Sequence, residues 1–273
     1  MSDQNEDTSD SGAGGSAVDG GQQTPYDRRA AVEAILAEDD SLTGRIYRYD
    51  LEGKSPAEIA AAEDNQGVAF VYNYRLQIHA LLTGEVPTSP WTARSVAAKL
   101  RRWLRVLDLD QRLRDDLTQF EATVQSRADD PDAQAVEVEK AVAKSKAAED
   151  DGTPGVYVYT LPHYLKHRID EETGKTLLKV GHSARDAYYR AGSAGRLTAL
   201  PEDPILLRIY PAAESAAAEK QFHAWLTAAD HAGTRTKRAG AEWFVTSTKF
   251  LDRVAQALDL EVRIVNDVET GDG

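Results

Sequence analysis

The chain contains no cysteine, which excludes a disulfide framework and a thiolate metal site. It also lacks any apolar run of roughly 18 residues, about the length a helix needs to span a bilayer. Its first residues are polar and acidic, without the basic start and apolar centre of a secretory signal. The expectation is therefore a cytoplasmic protein with no membrane partner. Positive charge is short as well: the formal net charge is −13. An acidic surface repels phosphate, so wholesale nucleic-acid binding is disfavoured.

Apolar content is sufficient. At 273 residues and 41% hydrophobic, the chain can build one large domain or two ordinary ones. The charge is unevenly spread. Val71–Arg105 holds six Lys/Arg (Arg75, Arg94, Lys99, Arg101, Arg102, Arg105) against one acid, Glu85, whereas Asp108–Asp151 holds thirteen acids against six bases. Local basic sites on an acidic body stay open.

Residues 1–24 are mostly small and polar and offer too little apolar surface to offset ordering entropy, so a disordered acidic tail is expected. A helical domain is expected over 25–130. Tyr26–Leu36 has a helical apolar stripe. Ser55, Pro56 and Glu58 form a helix start with an N-cap hydroxyl, proline at the first position and glutamate at the third. "DNQG" interrupts that helix. Val68–Leu82 restarts it with Val68, Val71, Tyr72, Arg75, Ile78, His79 and Leu82 spaced three and four apart, and Gly84 and Pro87 end it. Two short helices across a tight polar turn have the outline of a helix-turn-helix, similar to the DNA-reading helices of sigma-like and winged-helix regulators. In that reading Tyr72, Asn73, Tyr74, Arg75 and Gln77 are exposed toward DNA. Arg101 and Arg102 on the next helix supply phosphate contacts. An ordinary helical bundle that mediates self-association is the competing reading, and a homo-oligomer stays open.

The stretch 131–153 reads as an acidic linker with a helical middle, closed by Asp-Asp-Gly-Thr-Pro-Gly. After Pro154 the pattern changes. "GVYVYT" alternates Val156 and Val158 with Tyr157 and Tyr159, and "TLLKV" alternates likewise. Turn-rich sequence between them predicts antiparallel pairing. A helix near Asp186–Ala191, strand "PILLRIY", helix "ESAAAEKQFHAWLTAA", basic turn "GTRTKRAG", strand "EWFVTS", a helix over Thr248–Leu258 and strand "LEVRIV" follow. The expected fold class is α+β: an all-helical N-terminal domain, then a small α/β domain over 154–267 on a short, mostly antiparallel sheet. Residues 268–273 are expected to be a disordered tail.

This second domain resembles the GIY-YIG nuclease superfamily, in particular its phage- and bacterial-type branch. The resemblance rests on "GVY" at 155–157, "KVG" at 179–181, an arginine about nine residues on, Glu219 with His223, and "EWF" at 242–244. It covers about 95 residues. It implies a metal-dependent endonuclease with DNA as substrate, RNA staying open, and one Mg²⁺ or Mn²⁺ held by Glu219 with water completing the shell. Tyr157 is then the water-polarising group, Arg190 the phosphate clamp, and Lys179 and His182 assist. Arg235, Lys237 and Arg238 in the basic turn are candidate DNA contacts. Two departures matter. Lys179 stands where the second tyrosine is expected, and the 21 residues between Tyr157 and Lys179 exceed the usual loop. The alternative is a nuclease fold with weak or lost turnover, acting as a DNA-bound regulator or interaction module. Glu219 and His223, one helical turn apart, also suit zinc, but no third ligand is spaced to complete that site.

Overall fold

The computed structural model describes residues 26–63, 67–170, 173–183, 202–231 and 242–268. The tail over 1–24, the helix near Asp186–Ala191 and the basic turn lie outside them, as do Arg190, Arg235, Lys237 and Arg238. The fold is mixed α+β, with a mostly helical N-terminal part and a small antiparallel sheet in the C-terminal part. Among the described residues no helix is long and apolar enough to cross a membrane.

Six helices build the first part: α1 (Arg28–Glu38), α2 (Leu42–Leu51), α3 (Pro56–Ala62), α4 (Ala69–Thr83), α5 (Pro90–Val106) and α6 (Gln111–Asp129). Their starts are written in the sequence. Asp27, Ser55, Ser89 and Asp110 each accept a backbone N–H from the first turn of their helix, and Ser55 with Glu58 completes a capping box. Gly84 ends α4 at φ 76°, a left-handed conformation that costs glycine little. Val32, Leu36, Ile46, Ile59, Val71, Leu81, Leu100 and Leu117 meet in one fully buried core. Helix α2 follows α1 almost immediately and is not signalled in the sequence.

The expected linker is a helix, α7 (Pro131–Asp150). Asp130 closes α6 and caps α7, and Pro131 occupies the first position, so the two helices join at a single-residue corner. Helix α7 belongs to the sheet. Its small residues Ala141, Ser145 and Ala148 are buried and let the backbones approach closely. Ser145 Oγ accepts the Leu206 N–H at 2.9 Å. Asn266 Nδ2 donates to Ala141 O, Ser145 Oγ and Leu206 O at 2.8–3.1 Å. The stretch expected as a linker therefore packs on the sheet.

The sheet contains β1 (Gly155–Thr160), β2 (Thr176–Ser183), β3 (Ile205–Pro211), β4 (Trp243–Thr246) and β5 (Arg263–Ile264), in the order β4-β2-β1-β3-β5 with every pair antiparallel. A short helix α8 (Pro162–Lys166) lies within the long β1–β2 connection, which the sequence reads as turn-rich. Helices α9 (Ser215–Ala228) and α10 (Thr248–Ala257) complete the part. Val156, Val158, Leu178, Val180, Phe222, Leu226, Phe244 and Leu251 fill the core on the α9 side. Tyr157, Tyr159, Leu206 and Ile209 pack with Ala148 on the other. Val268 is buried in the first of these cores, so the tail expected over 268–273 begins inside packed structure.

The two parts meet at a polar seam. Asn73 of α4 donates through Nδ2 to Asp267 Oδ2 at 2.7 Å and to Asp267 O at 3.2 Å. Behind it Arg208, with a side chain 3% exposed, lies 3.2 Å from Asp252 and 3.8 Å from Asp267. Tyr210 Oη donates to the same Asp252. Burial pushes the Asp267 carboxyl above the usual carboxylate range, and Arg208 opposes that shift.

Candidate active site

The β1–β2 register decides which candidate residues share a face. Tyr157 lies opposite Gly181, Tyr159 opposite Lys179, and Val156 opposite His182. Cross-strand partners project to the same side and neighbours along a strand to opposite sides. Tyr157 and Lys179 therefore point to the α7 side, and His182 to the α9 side with Val156 and Val180. The expected convergence of all these groups on one point is corrected: the sheet itself divides them.

Tyr157 is 2% exposed. Its ring lies across Gly181, where an added Cβ would come within 2.8 Å of the hydroxyl oxygen. It also makes an edge contact with Tyr159 at 4.9 Å between centroids. The Tyr159 hydroxyl in turn donates to Glu149 at 2.9 Å. So the glycine of "KVG" makes room for the tyrosine of "GVY", and the tyrosine packs. Lys179 Nζ sits 3.3 Å from Glu242 Oε2, which offsets its charge locally.

On the opposite side, His182 Nδ1 lies 2.5 Å from Glu219 Oε2, and the Glu219 side chain is only 14% exposed. One turn along α9, His223 Nε2 lies 3.0 Å from the Val180 carbonyl, and its ring packs on Phe244 at 4.9 Å. A carbonyl only accepts, so His223 Nε2 carries a hydrogen and cannot bind metal in this arrangement. The sequence places the core stripe of α9 on Ala218, Phe222, Trp225 and Ala229. The observed buried positions are Ser215, Phe222 and Leu226, and Trp225 is 46% exposed. Turning the helix to bury Leu226 swings Glu219 and His223 from the rim toward the sheet. An ionised carboxylate only accepts hydrogen bonds, so the Glu219 contact sets the hydrogen on His182 Nδ1 and leaves Nε2 as the basic nitrogen. This is the geometry of a carboxylate-oriented general base.

Among the described residues no cluster of three or more His, Asp or Glu could hold a metal ion. The donor set is one carboxylate. That fits a largely hydrated Mg²⁺ or Mn²⁺, which needs few protein ligands, and does not fit a closed zinc site.

Helix α4 departs most from expectation. Its buried stripe is Phe70, Val71, Tyr74, Gln77, Ile78 and Leu81, which turns the helix about one residue from the phase read in the sequence. Tyr74 and Gln77, expected to face DNA, are in the core. Asn73 is held by Asp267, and Arg75 forms a bidentate pair with Asp50, its shortest contact being 2.6 Å. Arg101 Nη1 contacts Glu121 and Gln125, each at 2.7 Å. Arg102 is exposed. The outward strip of α4 runs from the N-cap Val68 through Tyr72 (53% exposed) and Leu76 to the polar His79 and Thr83. Of the α4 residues expected to face DNA, only Tyr72 is exposed.

Sequence reasoning missed Glu149 and Glu242 as partners of Tyr159 and Lys179. The three- and four-residue spacing of Ala141, Ser145 and Ala148 was a usable signal for Glu149; none is apparent for Glu242. Compared with models of protein families, with curated proteins and with solved structures, the chain matches none.

Proposed function

We propose that the C-terminal part is a GIY-YIG-type phosphodiesterase acting on nucleic acid, with the His182–Glu219 pair at its centre. The observation that carries this reading is the contact between His182 Nδ1 and Glu219 Oε2, which joins two of the expected site residues across 37 positions of sequence. Phosphodiester hydrolysis needs a base for the attacking water and relief of negative charge on the phosphoryl oxygens. His182 Nε2 takes the proton from water. Glu219 fixes the ring and stabilises the imidazolium that forms. A divalent cation held through the Glu219 carboxylate supplies the charge relief when bound. Tyr157 supports the strand pair from the far face.

The test is nicking of supercoiled plasmid with Mg²⁺ or Mn²⁺. His182→Ala and Glu219→Gln should each lower the rate by about 10²-fold or more, whereas Tyr157→Phe should leave it within a few-fold. Wild-type rates in both of the first two variants would end this reading. A second reading, a nuclease fold that binds without cutting, is favoured by the burial of Tyr157 and by the Lys179–Glu242 pair. Its signature is salt-sensitive DNA binding with no product at any metal concentration.

A further inference from the structure

One cleft in the described residues lies away from this site. It encloses about 910 Å³ between α5, the outer face of α7, α8 and the chain just before β3. That volume falls in the range of small-molecule sites, which favour seams between domains. Helix α8 adjoins the Thr176 end of β2, and His182 is six residues further along that strand, roughly 20 Å away. The cleft is thus separate from the His182–Glu219 pair.

Its walls carry three kinds of chemistry. Trp91, Val138 and Val142 are its apolar lining, Trp91 offering an aromatic surface that is only partly buried. Lys146 from α7 and Lys166 from α8 approach from two different elements. The rings of His163 and His167, 4.9 Å apart, line the same cleft. Among the described residues, neither lysine ammonium and neither of these two rings has a hydrogen-bond or ion-pair partner. Arg94 also lines the cleft, but its charge is taken: it reaches Asp129 at 3.2 Å and the carbonyls of Ala128 and Leu165 at 2.9 and 3.3 Å, and so ties α5 to α8. Glu202 is likewise engaged, accepting the His163 backbone N–H at 3.0 Å. Glu139 and Asp203 remain as acceptors on the wall.

We propose that this cleft binds a nucleoside phosphate: phosphate on Lys146, Lys166 and the two histidines, base against Trp91, and hydroxyl or amino donors on Glu139 and Asp203. Glu139 and Asp203, both exposed, repel a bare inorganic anion and favour a ligand that also brings hydrogen-bond donors. The cations argue against a neutral apolar ligand. The phosphate can belong to a free nucleotide or to the end of a single strand.

Isothermal titration of the full chain with AMP, inorganic phosphate and a 5′-phosphorylated single-stranded oligonucleotide tests the assignment. Saturable AMP binding is expected, with a Kd that rises about tenfold or more in the Lys146→Ala/Lys166→Ala double variant. Both lysines are exposed, so that variant should keep the wild-type circular dichroism. Trp91→Phe should bind nearly as wild type and Trp91→Ala more weakly. AMP binding alone assigns a free nucleotide; competition by the oligonucleotide at similar affinity assigns a strand end. The proposal is overturned by no AMP binding at millimolar concentration, by phosphate binding as tightly as AMP, or by affinity unchanged in the double lysine variant. Plasmid cleavage does not enter this test, so its failure and the failure of the hydrolytic reading are separable.

Discussion

The helical part and the sheet part handle charge in different ways. In the helices, basic residues that look available for phosphate are met by acids from other helices: Arg28 by Asp116, Arg45 by Glu63, Arg75 by Asp50 and Arg101 by Glu121. These pairs are partly exposed and each contributes little to stability, but they cancel the local positive potential. In the sheet part some of the pairs lie deeper, as in Arg208 with Asp252 and Asp267 or His182 with Glu219. Counting charge along a sequence window found a basic stretch where the folded molecule has a neutralised one.

The contrast breaks most decisively at Arg208. Its replacement by alanine strands two acids at the seam and should cost about 3–5 kcal/mol, read from urea unfolding; a loss near that of an exposed ion pair would mean that the seam is not buried. Next in size is a comparison within α4. Tyr74→Ala should lose about 3–5 kcal/mol as a core truncation, while Tyr72→Ala should stay within about 0.5 kcal/mol. Equal costs would restore the phase expected from sequence and with it the DNA-facing reading.

At the sheet, Gly181→Ala forces a methyl against the Tyr157 ring, and about 1–3 kcal/mol of destabilisation is expected. Combining it with Tyr157→Leu should recover part of that loss; if it recovers none, the ring does not lie over the glycine. The smallest effect concerns His231, whose Nδ1 lies 2.8 Å from Thr246 Oγ1 and whose Nε2 lies 3.4 Å from Lys175. Burial and the Lys175 charge lower its pKa below 6.5. The unfolded chain then binds the proton more readily, so stability should fall as pH drops below about 6.5. His231→Gln should flatten that slope between pH 7 and 5, and an unchanged slope would remove His231 as its source.

Much of the fold was legible. Caps at Ser55 and Gly84, alternation in "GVYVYT" and "TLLKV", and the antiparallel pairing of those two strands are local, short-range properties. A helical middle was expected where α7 lies, but its packing was not, because acidic composition suggested a linker while three small residues on one stripe pack against β3. The candidate site was legible as residue types and illegible as geometry. Glu219 was found, but its inward phase depends on Leu226 rather than Trp225 entering the core.

Periodicity, capping and turn chemistry act within a few residues, so the sequence alone determined where many of the helices and strands begin, which residue types could do chemistry, and that the chain has apolar material for its cores. Which face of α4 is buried, which acid neutralises each arginine, and that Tyr157 and Glu219 lie on opposite sides of one sheet were decided only in three dimensions. The reason is physical: those outcomes depend on contacts between groups tens of residues apart, where burial of the whole core outweighs the preference of any single helix or strand.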